Sequence, residues 1–225
     1  MDNPSLSALA GRVRAHAAGR DGRYLLGIAG PPGAGKSTLS VALRDALNHE
    51  AAAPVAEIAP MDGYHLTNAV LRATESLARK GEPDTFDTAG LLANLRLLRD
   101  TRVGAAVPWP VFDRALDDPT PAGVVFDRQV IAIVEGNYLL LDDIADRQWS
   151  AVRPLLDECW YLDAPLDVLE RRLLHRHLKG GRSRAAARVK VRESDLRNAI
   201  LVAGTKPRAD LVLFQRGGRY EPVEP

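Results

Sequence analysis

Gly30-Pro31-Pro32-Gly33-Ala34-Gly35-Lys36-Ser37-Thr38 fits the phosphate-binding pattern G-x-x-x-x-G-K-[ST]. The apolar run Tyr24 to Ala29 before it is long enough for one buried strand, and Leu39, Leu43 and Leu47 after it fall at helical spacing. Strand, glycine loop and helix therefore follow one another in the order the pattern requires. Glycines let the backbone curl so that successive N–H groups converge, and the new helix adds its free N–H groups and positive dipole end. Gly30, Gly33, Ala34, Gly35, Lys36, Ser37 and Thr38 form the candidate nucleotide-binding set. Lys36 is the residue to reach the outer phosphates, and Ser37 the one to place a hydroxyl on a magnesium ion carried by the nucleotide. A chance glycine-proline turn is the plainer alternative, and it leaves the flanking strand and helix unexplained. The loop specifies a nucleotide but not what receives the phosphate.

Outward from the loop, short apolar runs alternate with helical patterns. Val55 to Ala59, Val130 to Val134, Cys159 to Leu162 and Asp210 to Phe214 read as further strands. Helices are predicted from an Asn3-Pro4 start with Leu6, Leu9 and Val13 on one stripe, over Leu66 to Lys80, and around Leu91, Leu95 and Leu98 with Asp87 or Thr88 as cap. Two more run from Leu166 to Lys179 and from Ser183 to Val202, separated by Gly180-Gly181. Pro108 and Pro110 make 107–114 an extended loop or an edge, Val124 to Phe126 a brief strand, and Gly217 to Pro225 a frayed tail. Fully apolar strands separated by helices imply an α/β fold: one domain over residues 1–225 with a mostly parallel five-stranded sheet and helices on both faces. Ligands on such sheets bind at the carboxyl ends of the strands. Lys36, Asp62 and Glu135 each come just after a strand, so all three are expected to open onto one edge.

Bulk properties narrow the classes. The 225 residues are 46% apolar, enough for a large core, and carry a net charge of only +1. No strong field draws the chain to nucleic acid or membrane. One cysteine, Cys159, excludes an internal disulfide and suits a reducing cytoplasm; within a strand it reads as a small buried hydrophobe. The first residues lack the apolar core of a signal peptide, and no run approaches a membrane span.

Phosphoryl transfer to a hydroxyl needs a metal site, a group that takes or orients the hydroxyl proton, and positive charge on the transferred group. Glu135, an acid at the end of an apolar strand, is the candidate for the metal beside Ser37; alone it would read as a surface acid. Asp62 is the candidate base, with an ordinary Asp-Gly turn as the alternative. Arg172 and Arg176, four apart on one predicted helix and followed by Gly180-Gly181-Arg182, suit a closing lid over about 171–190; a solvated basic face is the alternative. Tyr64, His65, Arg79, Trp109, Phe112 and Arg114 form a candidate acceptor pocket as a set, whereas each alone reads as packing or surface charge. His175 and His177, two apart on a helix, point to different sides and do not form a metal pair. Two other functions are consistent with the loop or the basic segment: a nucleotide switch working with a protein such as a transporter, and a nucleic-acid binder using 171–197.

The glycine loop, Met61-Asp62-Gly63-Tyr64, the block Arg79 to Asp87 (RKGEPDTFD), Pro110-Val111-Phe112-Asp113 and Val134-Glu135-Gly136-Asn137 resemble, in this order, the phosphoribulokinase/uridine kinase family. The second and third blocks are most similar to bacterial type I pantothenate kinases and to shorter relatives labelled as fructose-transport-associated kinases. The likeness spans about residues 24–214. It implies a P-loop kinase fold, ATP with Mg2+, and phosphorylation of an alcohol on a small metabolite, and it allows a homodimer. On that pattern Asp62 matches the acid near the acceptor hydroxyl and Glu135 the acid ending the third strand. Arg172 and Arg176 fall in the lid region, and Arg79 and Phe112 in blocks that shape the acceptor pocket. Gly63-Tyr64 departs from the serine and aromatic that uridine kinases carry there, and the pantothenate kinases are longer. The resemblance therefore carries over no acceptor.

Overall fold

The computed structural model describes residues 4–49, 51–144 and 147–223. Its elements are α1 (Pro4–Ala17), β1 (Tyr24–Ala29), α2 (Lys36–Asn48), β2 (Ala56–Pro60), α3 (Asn68–Ala73), α4 (Thr88–Asp100), β3 (Val107–Asp113), β4 (Asp118–Phe126), β5 (Ile131–Glu135), β6 (Glu158–Asp163), α5 (Leu166–Lys179), α6 (Arg184–Lys190), α7 (Leu196–Ala203), β7 (Leu211–Arg216) and β8 (Arg219–Pro222). The main sheet has the order β2-β5-β1-β6-β7-β8. Its first five strands are parallel and β8 runs antiparallel to β7. Side chains alternate across β1. Leu25 and Ala29 join Leu91, Leu95 and Leu98 of α4 on one face. Leu26 and Ile28 join Leu9 and Val13 of α1 and Leu39, Leu43 and Leu47 of α2 on the other. Both faces are thus covered, which is why the strands are apolar at nearly every position.

The five parallel strands match the expected sheet, and β8 is a sixth that the reading of 217–225 as a frayed tail missed. Gly217 and Gly218, at φ 54° and 79°, make the tight turn that lets Arg219 pair with Arg216. The proline-rich segment is likewise more ordered than expected, because β3 and β4 pair as a two-stranded antiparallel ribbon. Its prolines are tolerated since each strand is an edge, and the register shifts between Trp109 and Val111, where Pro110 sits. The helix expected over Leu66 to Lys80 is only α3. It is capped by the Thr67 side chain and stops at Thr74. Glu75 then takes φ 54°, and short turns over Leu77–Arg79 and Pro83–Thr85 follow. The helix expected over Ser183 to Val202 forms as α6 and α7, joined by a π-helical turn over Val191–Asp195. The predicted Asn3 cap lies outside the described residues, and α1 begins at Pro4.

Candidate active site

The glycine loop crosses from β1 to α2. Gly30 has φ 144°, and a Cβ there would lie 2.4 Å from the Leu162 carbonyl oxygen, so only glycine lets the loop leave β1 against β6. Gly35, at φ 104°, takes the N-cap position of α2 and directs the next N–H groups towards the sheet edge. Lys36 is only 8% exposed. Its Nζ donates to the Pro31 carbonyl at 3.0 Å and to Asn137 Oδ1 at 2.6 Å. Burial pushes its pKa down to about 8, opposed by the charges of Glu135 and Asp62. Ser37 and Thr38 are exposed at the helix start.

Asp62 lies in a single turn, Met61–Tyr64, directly after β2. A Cβ on Gly63 would come within 2.1 Å of the Pro110 carbonyl oxygen, so the β3–β4 ribbon packs straight onto this turn and holds it. Glu135 ends β5, the strand next to β1. Its carboxyl pKa is raised, first by burial and then by the Asp62 charge, while Lys36 and Ser37 oppose the shift. The three strand-end residues line one cleft of about 1240 Å³.

Among the candidate acceptor residues, His65, Phe112 and Arg114 also line this cleft. Tyr64 and Trp109 instead belong to the core. Their rings pack edge to face at 5.3 Å, the Tyr64 hydroxyl accepts from Asn94, and Trp109 Nε1 donates to the Pro60 carbonyl. Both hold the Asp62 turn from behind and are absent from the cleft lining. Arg79 points elsewhere: it pairs with Asp84 and Glu82 beside a separate cavity of about 280 Å³.

The two arginines of α5 part company. Arg172 also borders the cleft, but it donates to the Ala34 and Gly33 carbonyls at 3.0 and 3.3 Å and to Gln215 Oε1 at 3.1 Å, so its guanidinium is spent on bracing the glycine loop. Arg176 lines the cleft, close enough for its charge to act on Lys36. His177 pairs with Asp195 at 2.6 Å, apart from His175. Cys159 is buried, and burial pushes its thiol up to about 12, as fits a core side chain.

The sequence reading passed over several cleft residues. Lys80 donates to Asn68 Oδ1 and to the Asp117 carbonyl, which ties the turn after α3 to the ribbon tip. Lys190 donates to the carbonyls of Ala78 and Lys80, and Asn198 to that of Gly81, so α6 and α7 clasp the same turn. Lys190 and Asn198, isolated polar residues on α6 and α7, carry no pattern that would have revealed this. Asn137 was visible as part of the Glu135-Gly136-Asn137 block, but its bond to Lys36 spans 101 residues.

Ser37 Oγ and the Glu135 carboxylate present two hard oxygen donors at one corner of the cleft, which suits Mg2+. Among the described residues no group of three or more His, Cys, Asp or Glu could hold a metal ion. A cation bound largely through nucleotide phosphates needs no such cage. No helix among the described residues is long and apolar enough to cross a membrane.

No protein-family model matches the chain. It is 33% identical over 199 residues to the uncharacterised protein YggC of Escherichia coli, covering 88% of this chain and 81% of that protein. It is also 33% identical over 200 residues to a protein of Schizosaccharomyces pombe provisionally named uridine kinase C227.14, covering 86% and 83%. Pantothenate kinases are among its further relatives. In structure it is similar to a protein of Silicibacter sp. TM1040 provisionally named a fructose transport system kinase, with TM-score 0.81, 36% identity and coverage of 92% and 98%. The matches to YggC, C227.14 and the Silicibacter protein each span more than four fifths of both chains, and the last two proteins carry kinase names. The chain is a P-loop kinase, and it belongs to the phosphoribulokinase/uridine kinase family.

Proposed function

We propose that this kinase transfers the γ-phosphoryl group of ATP to a hydroxyl of a small metabolite held beside Asp62. The observation that carries the reading is the meeting of Lys36, Asp62 and Glu135 in one cleft. The glycine-loop N–H groups and Lys36 bind the phosphates, and Arg176 adds positive charge as the transferred group passes. Ser37 and Glu135 would hold Mg2+, which supplies charge neutralisation between the phosphates. Asp62 orients the acceptor hydroxyl. The oxygen attacks the γ-phosphorus, the bond to ADP breaks, and the proton leaves on the Asp62 carboxylate. His65, Phe112 and Arg114 form the acceptor wall. Residues 171–190 act as a lid, with Gly180-Gly181 as its hinge and Gly181 at φ 86°. The whole chain works as one kinase domain.

The alternative of a nucleotide switch has no use for the part of the cleft beyond Asp62. That part continues past His65 and Phe112 to Ser194 and Asn198, which favours a bound acceptor. A screen of ADP release across sugars, nucleosides, pantothenate and pyridoxine-like alcohols tests the reading. One compound should raise ADP release and yield its phosphorylated product. Asp62→Asn should keep ATP binding and lose transfer by about 10³-fold or more. Wild-type turnover in that variant would remove Asp62 from the mechanism.

A further inference from the structure

We propose that His65 determines acceptor specificity: its Nε2 lone pair accepts a hydrogen bond from a second hydroxyl, or an N–H, of the molecule whose reacting hydroxyl faces Asp62. The proposal rests on the kinase reading above and narrows the acceptor to polyhydroxylated or amino-alcohol compounds.

The tautomer follows from the bonding. His65 Nδ1 lies 2.8 Å from the Asp62 carbonyl oxygen, which can only accept, so Nδ1 carries the proton. The ring is packed against Phe86, with centroids 4.1 Å apart and planes at 40°, and against Phe112, at 4.8 Å and 51°. The Lys80 ammonium stands 4.8 Å from the Phe112 centroid and adds a positive charge nearby. Burial lowers the imidazole pKa and Lys80 assists; the charges of Asp62 and Asp117 oppose without reversing the direction. The ring is therefore neutral, with its lone pair on Nε2.

With Nδ1 committed to Asp62 and aromatic rings packed against the imidazole, the edge bearing Nε2 is what His65 contributes to the cleft. No group among the described residues donates to it. A half-buried acceptor of this kind favours a ligand that brings a donor and penalises one that does not. The Asp62 carboxylate and His65 Nε2 together offer two acceptors from one short turn. A simple mono-alcohol satisfies one of them; a polyol satisfies both.

The test measures ADP release by the full chain with xylitol, D-ribose, D-fructose, pantothenate and ethanolamine, and with the deoxy analogue of whichever compound is turned over best. Loss of the neighbouring hydroxyl should lower wild-type kcat/KM by about 10²-fold or more. His65→Leu should cost the parent compound a similar factor and cost the deoxy analogue little. His65→Gln, whose Oε1 reaches the Nε2 position, should retain activity within about 10-fold. His65→Asn, which reaches only the Nδ1 position, should behave like His65→Leu and stands in for it should that variant not fold. The KM for ATP should not move. Equal losses on parent and deoxy analogue, or preference for a mono-alcohol, would overturn the role of His65 while leaving the kinase reading intact. ADP release with no alcohol at all would overturn the kinase reading, and this proposal with it.

Discussion

The Ser37 hydroxyl donates to both carboxylate oxygens of Glu135, at 3.1 and 3.2 Å, across 98 residues of sequence. The contact joins the start of α2 to the end of β5. It exists because β1 and β5 are parallel neighbours whose carboxyl ends finish side by side. Burial and the nearby Asp62 charge disfavour the ionised form of Glu135, so its negative charge is costly without a cation. Glu135→Gln keeps the shape and removes that charge. It should fold at least as stably as the parent and should need about 10-fold more Mg2+ for half-maximal ADP formation. A Mg2+ titration of both proteins checks this, and superimposable curves would take Glu135 out of metal binding.

Arg172 and Arg176 look equivalent in sequence, and their surroundings predict different kinetics. Arg172 spends its donors on Gly33, Ala34 and Gln215, so Arg172→Met should loosen the glycine loop and raise the KM for ATP about 10-fold. Arg176→Met removes a charge that faces the cleft and should lower kcat about 10²-fold with little change in that KM. Steady-state kinetics with varied ATP separates the two. The reverse split would mean that Arg172 leaves its glycine-loop carbonyls for the phosphates on closure.

The site was legible in the sequence where chemistry depends on position along the chain. A glycine loop between strand and helix, and acids directly after β2 and β5, announce themselves because parallel strands bring their carboxyl ends together whatever lies between. Phe112 was found within a recognisable block, and His65 directly after one. Tyr64 closes one of these blocks and Trp109 comes just before another, and both pack in the core behind the cleft: an aromatic beside the Asp62 turn reads the same whether it faces ligand or interior. Lys190 and Asn198 were not legible, since the turn carbonyls they clasp leave no trace in side-chain identity, and Lys80 stood in a quoted block while its partners Asn68 and Asp117 lie 12 and 37 residues away. The glycine pair that turns β7 into β8 was present in the sequence, and the short segment beyond it hid its meaning.

Glu158 ties α1 to the sheet and should make stability depend on acid. Its carboxylate accepts from Tyr24 and Trp160 at 2.7 Å, from Arg12 at 2.7 Å and from His16 at 3.1 Å. Burial alone would raise its pKa, but the hydrogen bonds from Tyr24, Arg12 and Trp160 outweigh it and hold the pKa below the ordinary glutamate value. The unfolded chain therefore binds this proton at higher pH than the folded one. The stabilisation is complete above the ordinary carboxylate pKa and is lost as pH falls through the lower folded value. Urea unfolding across pH 3–7 should show a steep acid limb in the parent. Glu158→Gln should flatten that limb while costing about 2 kcal/mol at neutral pH.

Arg23 supplies the test that separates stability from function. It is 2% exposed, and its guanidinium donates to the carbonyls of Leu98, Thr101, Ala105, Asp127 and Gln129. Those oxygens come from the end of α4, the base of the β3–β4 ribbon and the approach to β5, so one planar fork gathers three segments below the start of β1. Arg23→Leu leaves five acceptors without this donor and should cost about 3 kcal/mol, or about 10 °C in Tm. Arg23→Lys should recover little, because an ammonium has three donors and no fork to span the group. Arg23 precedes β1, whereas the glycine loop leaves its opposite end, so ATP affinity at a temperature where the variant is folded should match the parent. Calorimetric unfolding paired with nucleotide titration reads both quantities. A loss of ATP affinity without loss of Tm would show that the two ends of β1 are coupled.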